Sequence, residues 1–274
     1  MEPPQRITPE TTLCGIVLHP AGHTRSPAMH NAAYATLSID AVYTAFDVPP
    51  AALPGAMAGV RALGFGQLAV SLPHKVAVME HLDEIDETAR RIGAVNTVTR
   101  REGRLLGTNT DWLGAVRALE REAKLSGARA VVLGAGGTAR AVVFGLRERG
   151  ARVHVLNRTR ERAELLAREL GAEGAGTLVD LGETPHDVLV NTTSVGLESD
   201  ASPVEAAAIA PGSVVLDAVY RPAQTRLLRD AAAQGARSVE GKWMLVYQAA
   251  EQFRLFTGRD APVEAMLRAF EAAG

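Results

Sequence analysis

Cysteine is almost missing from the 274 residues: Cys14 stands alone. A single thiol excludes a disulfide framework and any cysteine-built metal site. Long apolar runs are missing too. The longest stretch without a charged residue or histidine is Val48 to Val60, 13 residues interrupted by Pro49, Pro50 and Pro54. A membrane-spanning helix needs ~20 apolar residues. The opening Met1-Glu2-Pro3-Pro4-Gln5-Arg6 lacks the apolar core of a signal peptide. Neither sign of charge dominates: 29 Lys and Arg face 31 Asp and Glu, a net charge of −2. No global positive field attracts nucleic acid or an anionic membrane. These absences lead to the expectation of a cytoplasmic protein without metal, nucleic acid or membrane; they do not distinguish a monomer from a homodimer, the two states expected.

What is present is globular. Hydrophobic residues make up 47% and charged residues 22%, enough apolar side chains for substantial cores. At ~150 residues per domain the length predicts about two domains. Strand-like and helix-like segments alternate, the signature of α/β layers. Strands are expected at Leu13–Leu18, Ala41–Phe46 and Gln67–Leu72, with helices from Pro27, over Leu53–Leu63 and from about Pro73. Ala94–Thr99 and Arg104–Gly107 form a hairpin pattern around Glu102-Gly103. Trp112–Lys124 is helical in spacing, and so is the tail Met244–Phe270. Strand, glycine turn and helix then follow one another from Ala130 and lead into the strand Arg152–Leu156. Val188–Asn191 and Val214–Asp217 extend the parallel pattern. The domains expected are 1–110, completed by 241–274, and 111–240.

Gly134-Ala135-Gly136-Gly137-Thr138-Ala139 fits G-x-G-x-x-[GA] after an apolar strand and at the start of a helix. The first glycine permits the tight turn, the second lets a pyrophosphate approach the backbone, and Ala139 keeps helix and strand close. A βα turn without ligand would use the same glycines. The next strand tip is more telling. An NAD site usually carries an acid there for the ribose 2′-hydroxyl. Here the chain reads Asn157-Arg158-Thr159-Arg160-Glu161-Arg162. Arg158 and Arg162 suit a 2′-phosphate, and cations at a helix start suggest a nearby anion. The cofactor expected is NADP.

The first domain carries polar residues at element ends. Ser26 with Pro27 reads as a helix cap or a ligand contact. Lys75, in Ser71-Leu72-Pro73-His74-Lys75, is expected at a helix N-terminus, where the positive potential would lower its pKa. Asn96-Thr97 ends an apolar run, and Asn109-Thr110-Asp111 precedes a helix that Asp111 can cap.

Taken in order, His23-Thr24-Arg25-Ser26-Pro27, Val70-Ser71-Leu72-Pro73-His74-Lys75, Gly93-Ala94-Val95-Asn96-Thr97, Asn109-Thr110-Asp111, the glycine turn, Asn157-Arg158-Thr159, Asp217-Ala218-Val219-Tyr220, Gly241, Met244-Leu245 and Gln248 form a series. This series resembles the shikimate dehydrogenase family over about residues 13 to 258. The resemblance implies an N-terminal α/β substrate domain, a Rossmann-type NADP-binding domain, and C-terminal helices returning to the first. It implies reversible reduction of 3-dehydroshikimate to shikimate, a step toward chorismate and the aromatic amino acids. Lys75 and Asp111 match the catalytic pair. Thr24, Ser26 and Tyr220 match carboxylate-binding positions, and Ser71, Asn96 and Gln248 match positions around the ring hydroxyls. The cofactor positions are Gly134, Ala135, Gly136, Gly137, Thr138, Asn157, Arg158, Thr159, Arg162, Ala218 and Gly241. The family usually has Ser at Thr24, Asn at Ala69, Thr at Ser71, Phe at His74 and Gly at Trp112. Ala69-Val70-Ser71, Val60–Gly64 and Glu251-Gln252-Phe253 are similar to a shikimate dehydrogenase-like branch. A quinate or related polyol dehydrogenase, and an NADP-binding regulatory module of weak activity, are the alternatives.

Overall fold

The computed structural model describes residues 7–22 and 24–273. His23 and the opening Met1–Arg6 lie outside the described residues. The chain divides into two compact units, Met1–Thr110 with Ala249–Gly274, and Asp111–Gln248.

The first unit contains β1 (Thr12–Leu18), α1 (Ser26–Thr36), β2 (Ala41–Asp47), α2 (Leu53–Leu63), β3 (Gln67–Val70), β4 (Glu84–Ile85), α3 (Glu87–Ile92), β5 (Thr97–Arg101) and β6 (Arg104–Thr108). Its sheet has the order β2-β1-β3-β5-β6-β4. β1 runs parallel to β2 and β3, while β5 is antiparallel to β3 and β6. The expected hairpin turns on Glu102 and Gly103, both at positive φ, the backbone a two-residue hairpin loop requires. Gly64, at φ 70°, ends α2. Leu53, Met57 and Val60 of that helix pack with Val17, Leu68, Val70, Val98 and Leu105 of the sheet.

The second unit contains α4 (Asp111–Leu119), β7 (Arg129–Leu133), α5 (Gly137–Glu148), β8 (Arg152–Leu156), α6 (Arg160–Leu170), β9 (Gly174–Gly176), β10 (Val188–Asn191), β11 (Val214–Asp217), α7 (Arg226–Ala233) and β12 (Arg237–Val239). All pairings in its sheet, ordered β12-β11-β10-β7-β8-β9, are parallel. Val132, Val155, Val190 and Leu216 face one core with Val142 and Leu146 of α5. Val131, Leu133, Leu189 and Val215 face another with Leu227 and Leu228 of α7. Cores on both faces explain why these strands read as continuous apolar runs. The fold is α/β throughout.

Three expectations need correction. The tail is two helices, α8 (Gly241–Thr257) and α9 (Val263–Ala272), because Gly258 takes φ 68° and Pro262 follows. The helix from Trp112 stops at Leu119, and the following turn delivers Leu125 to the core. The return to the first unit lies at Ala249 inside α8, not near Gly241. A Cβ on Gly241 would stand 2.5 Å from the carbonyl of Asp217 and 2.7 Å from that of Val219, and one on Gly114 2.6 Å from that of Met244. These backbone approaches hold 241–248 to the second unit.

Candidate active site

Strand direction gathers the first set of side chains. The carboxyl ends of β1, β3 and β6 and the amino end of β5 share one end of the first sheet. Thr24 and Ser26 follow β1, Ser71 and Lys75 follow β3, Asn96 precedes β5, and Thr110 follows β6. Ser71 N–H donates to Val17 O at 2.9 Å, tying the ends of β1 and β3. Ser26 is not the cap of α1 but its first residue: Arg25 is the cap, and Pro27 comes second in the helix. The Ser26 N–H donates instead to Thr24 Oγ1, and the two hydroxyls lie 3.3 Å apart.

No α-helix starts at Pro73. The Lys75 carbonyl accepts Val95 N–H at 2.7 Å and so is not available to a helical partner. A turn and a short 3₁₀ segment, Ala77–His81, follow. The helix dipole expected to act on Lys75 is therefore missing, and a strand-end clasp places the half-buried side chain instead. His74, where the family usually has Phe, is buried, with Nε2 2.7 Å from Val48 O.

Asn96 is densely bonded. Its Oδ1 accepts Thr110 N–H at 2.8 Å and the Thr97 hydroxyl at 2.8 Å, and its Nδ2 donates to Thr110 Oγ1 at 3.0 Å. Asp111, Tyr220 and Gln248 fall in the second unit. Asp111 is buried and opens α4, where an acid suits the helix dipole. Gln248 is buried on α8 with Nε2 on Leu245 O at 2.9 Å. Tyr220 is half-buried just after β11. The Trp112 ring packs edge-on to Phe144 at 5.5 Å, inside the second unit.

The glycine turn lies between β7 and α5. Gly134, at φ 113°, is held by its N–H on Leu156 O at 2.8 Å, a backbone no other residue adopts easily. Gly136 is exposed and caps α5 with no side-chain hydrogen bond, and a Cβ built on it meets nothing within 4 Å. The protein does not fill that space. Together with the N–H groups of the first turn of α5 it forms a cradle that fits a pyrophosphate. Ala139 is wholly buried against the sheet. Beyond β8, Asn157 Nδ2 donates to Thr159 O at 3.0 Å. Arg158 and Arg162 are exposed and make no ion pair among the described residues, whereas Arg160 is tied to Asp180 at 2.9 Å. Two uncommitted guanidinium groups, with no acid at the tip of β8, fit a 2′-phosphate. Ala218 lies in the loop under which Gly241 is wedged.

Two groups escaped sequence reasoning. Asp217, at the end of β11, accepts Asn191 Nδ2 at 2.9 Å, Val219 N–H at 3.0 Å and the Thr225 hydroxyl at 2.6 Å. Burial outweighs these donors and pushes its carboxyl up to about 6. The signal was a polar residue closing each of two wholly apolar strands, Asn191 and Asp217. The other is Gln252 on α8, whose Nε2 donates to Asn96 O at 3.1 Å and Thr97 Oγ1 at 3.0 Å. Nothing in local spacing links residues so distant in sequence. Beneath this layer His30 stacks on Tyr43 at 4.3 Å, and burial pushes its imidazole down to about 4.

A parallel sheet with a dinucleotide turn, joined to a mixed sheet whose strand ends carry lysine, hydroxyl and amide side chains, defines a two-domain nicotinamide-dependent oxidoreductase. Residues 16–98 match the shikimate dehydrogenase substrate binding domain, 117–199 the shikimate/quinate 5-dehydrogenase model, and 241–269 the shikimate 5′-dehydrogenase C-terminal domain. The shikimate dehydrogenase (NADP(+)) of Thermococcus kodakarensis is 47% identical, over 94% of this chain and 95% of its own. The crystal structure of shikimate 5-dehydrogenase from Thermus thermophilus, in complex with NADP(H) and shikimate, is similar with a TM-score of 0.90 and 43% identity. It is covered over 100% of its chain and covers 96% of this one. A shikimate dehydrogenase solved with NADP+ gives a TM-score of 0.91 at 38% identity, covering 98% of this chain and 97% of that one. The chain belongs to the shikimate dehydrogenase family.

Proposed function

We propose that this chain catalyses the reversible, NADP-linked reduction of 3-dehydroshikimate to shikimate. The observation that carries the reading is the near full-length kinship with NADP(+)-dependent shikimate dehydrogenases. The two uncommitted arginines after β8 support the choice of phosphorylated cofactor. The first unit is the substrate unit, and the second binds the dinucleotide.

When bound, NADPH supplies the hydride that reaches the ketone carbon. The chain supplies orientation and the proton. Gly134, Ala135, Gly136, Gly137 and Thr138 bind the pyrophosphate at the start of α5. Asn157, Arg158, Thr159 and Arg162 hold the 2′-phosphate side, and Ala218 and Gly241 complete the cofactor site. Thr24, Ser26 and Tyr220 bind the substrate carboxylate. Ser71, Asn96 and Gln248 hold ring hydroxyls, whose number calls for many fixed donors and acceptors. Lys75 and Asp111 handle the proton: as the carbonyl carbon takes the hydride, its oxygen takes one proton from this pair, and in the oxidative direction the hydroxyl proton returns to it.

Initial rates followed by the absorbance of reduced cofactor, with shikimate or quinate and NADP or NAD, test the reading. Shikimate with NADP should give the highest kcat/KM. A higher value for quinate, or for NAD, would overturn the substrate or the cofactor assignment.

A further inference from the structure

We propose that Asp217 is a positioning residue whose carboxylate clasps both ends of the loop 218–224 and so sets Tyr220 for the substrate carboxylate. The proposal rests on the reading of Tyr220 as a substrate-binding residue. The loop leaves β11 at Ala218 and returns to α7 at Thr225, all within the second unit. Three donors meet the carboxylate, and the polarity of each is fixed. Val219 N–H, 3.0 Å from Oδ1, is a main-chain donor with no choice. The Thr225 hydroxyl, 2.6 Å from Oδ2, already takes Leu228 N–H at 3.3 Å as the cap of α7, which leaves its single proton for the carboxylate. Asn191 Oδ1 accepts the main-chain N–H of Thr193 at 3.0 Å, so the other amide atom, 2.9 Å from Asp217 Oδ1, is the nitrogen.

The two oxygens divide the work. Oδ1 holds the start of the loop and ties it to β10, and Oδ2 holds the end. The start is secured a second time by Ala218 N–H on Asn191 O at 2.9 Å. The other bonds to 221–224, made with Glu198, Arg229 and Glu240, involve exposed loop residues. The clasp itself is interior: Asn191, Asp217 and Thr225 are each 0% exposed. A wholly buried carboxylate with no cation among its partners costs stability. A leucine of similar size would avoid the cost, so packing alone gives no reason for an acid at the end of this apolar strand. Two oxygens that bind both ends of one loop do.

The test is steady-state kinetics with NADP and shikimate at neutral pH on Thr225→Val, Thr225→Ser, Asp217→Ala and the double variant Asp217→Ala with Thr225→Val. Tyr220→Phe is measured alongside, with thermal unfolding of each. Thr225→Val keeps the shape and removes the hydroxyl that holds the loop end, so it carries the test if Asp217→Ala folds poorly. It should raise the shikimate KM about tenfold, the worth of one misplaced hydrogen bond. Its NADP KM should stay near the wild-type value, because the start of the loop remains held, and kcat should change less than the shikimate KM. Asp217→Ala releases both ends and should raise both KM values. The double variant should be no worse than Asp217→Ala, because both act through one clasp. Thr225→Ser keeps the hydroxyl and should keep the wild-type KM. A shikimate KM unchanged in Thr225→Val, with only its unfolding temperature lowered, would reduce the clasp to a support of α7 and overturn the proposal. So would an NADP KM raised as much as the shikimate KM in Thr225→Val, losses that add in the double variant, or Thr225→Ser as impaired as Thr225→Val. If Tyr220→Phe raises the shikimate KM while Thr225→Val and Asp217→Ala do not, Tyr220 binds substrate without help from Asp217. If Tyr220→Phe leaves the KM unchanged, the reading of Tyr220 itself falls.

Discussion

The two units build their sites from different parts of the chain. In the second, the dinucleotide turn is made of backbone: Gly134 at positive φ, an exposed Gly136 with open space at its missing Cβ, and the N-terminus of α5. In the first, Thr97 and Thr110 from two strand ends and Gln252 from a distant helix converge on Asn96. A backbone site is local in sequence, because strand, turn and helix are consecutive. A side-chain site depends on which strand ends the topology brings together. Substitutions in one unit can therefore be set against substitutions in the other.

The largest effect is expected in the chemistry. Lys75→Ala should lower kcat by ~10² to 10⁴ with a much smaller change in shikimate KM, measured by initial rates. Asp111→Asn should also slow turnover, and the double variant should be less impaired than the product of the two losses. Wild-type kcat in Lys75→Ala would remove the lysine from the mechanism.

The next contrast is in pH dependence, since His30 in the first unit and Asp217 in the second are buried titratable groups shifted in ways that act oppositely on stability. Folding holds the His30 imidazole down near 4, from 6.5. Between those values the unfolded chain binds the extra proton, so this contribution to stability is complete above pH 6.5 and lost as pH falls toward 4. Folding holds the Asp217 carboxyl up near 6, from 3.8. Between those values the folded chain binds the extra proton, so stability rises as pH falls from 6 toward 3.8. The two slopes oppose each other over nearly the same range. Each is worth on the order of 3 kcal/mol. In urea unfolding from pH 7 to 4.5, His30→Phe should gain stability toward acid relative to wild type, and Asp217→Asn should lose it. Parallel pH profiles for the two variants would contradict this pairing.

Arg158→Ala should raise the NADP KM 10- to 100-fold and erode the preference over NAD, as expected for a charge-assisted contact of ~1.5–3 kcal/mol. Gly241→Ala should destabilise the second unit by ~1–3 kcal/mol through overpacking against the carbonyls of Asp217, Ala218 and Val219, read from the urea midpoint. The smallest effect belongs to Ser71→Thr. It restores one methyl, roughly 0.8 kcal/mol or fourfold. It should move kcat/KM further toward shikimate over quinate. An unchanged ratio would mean that Ser71 does not line the ring.

The same contrast explains what the sequence disclosed. β8, β10 and β11 match their expected limits to the residue, because strands buried on both faces and cut by glycine or polar residues leave an unambiguous pattern. Family motifs marked Asn96, Lys75 and Asp111. Local pattern failed where long-range bonds decide the backbone. Val95 takes the Lys75 carbonyl and prevents a helix after Pro73, and the wedging of Gly241 under 217–219 moves the return of the chain to Ala249. Gln252 was invisible as a site residue because its partners lie in β5 and just before it, more than half the chain away.

NADP on the backbone-and-arginine site of the second unit, with Asn96 of the first unit left to the substrate, is the division of labour to test. The direct measurement is calorimetric titration of NADPH into wild type, Arg158→Ala and Asn96→Ala. Binding should weaken 10- to 100-fold in Arg158→Ala and match wild type in Asn96→Ala. NADPH affinity unchanged by the arginine substitution, or lowered equally by both, would contradict the claim.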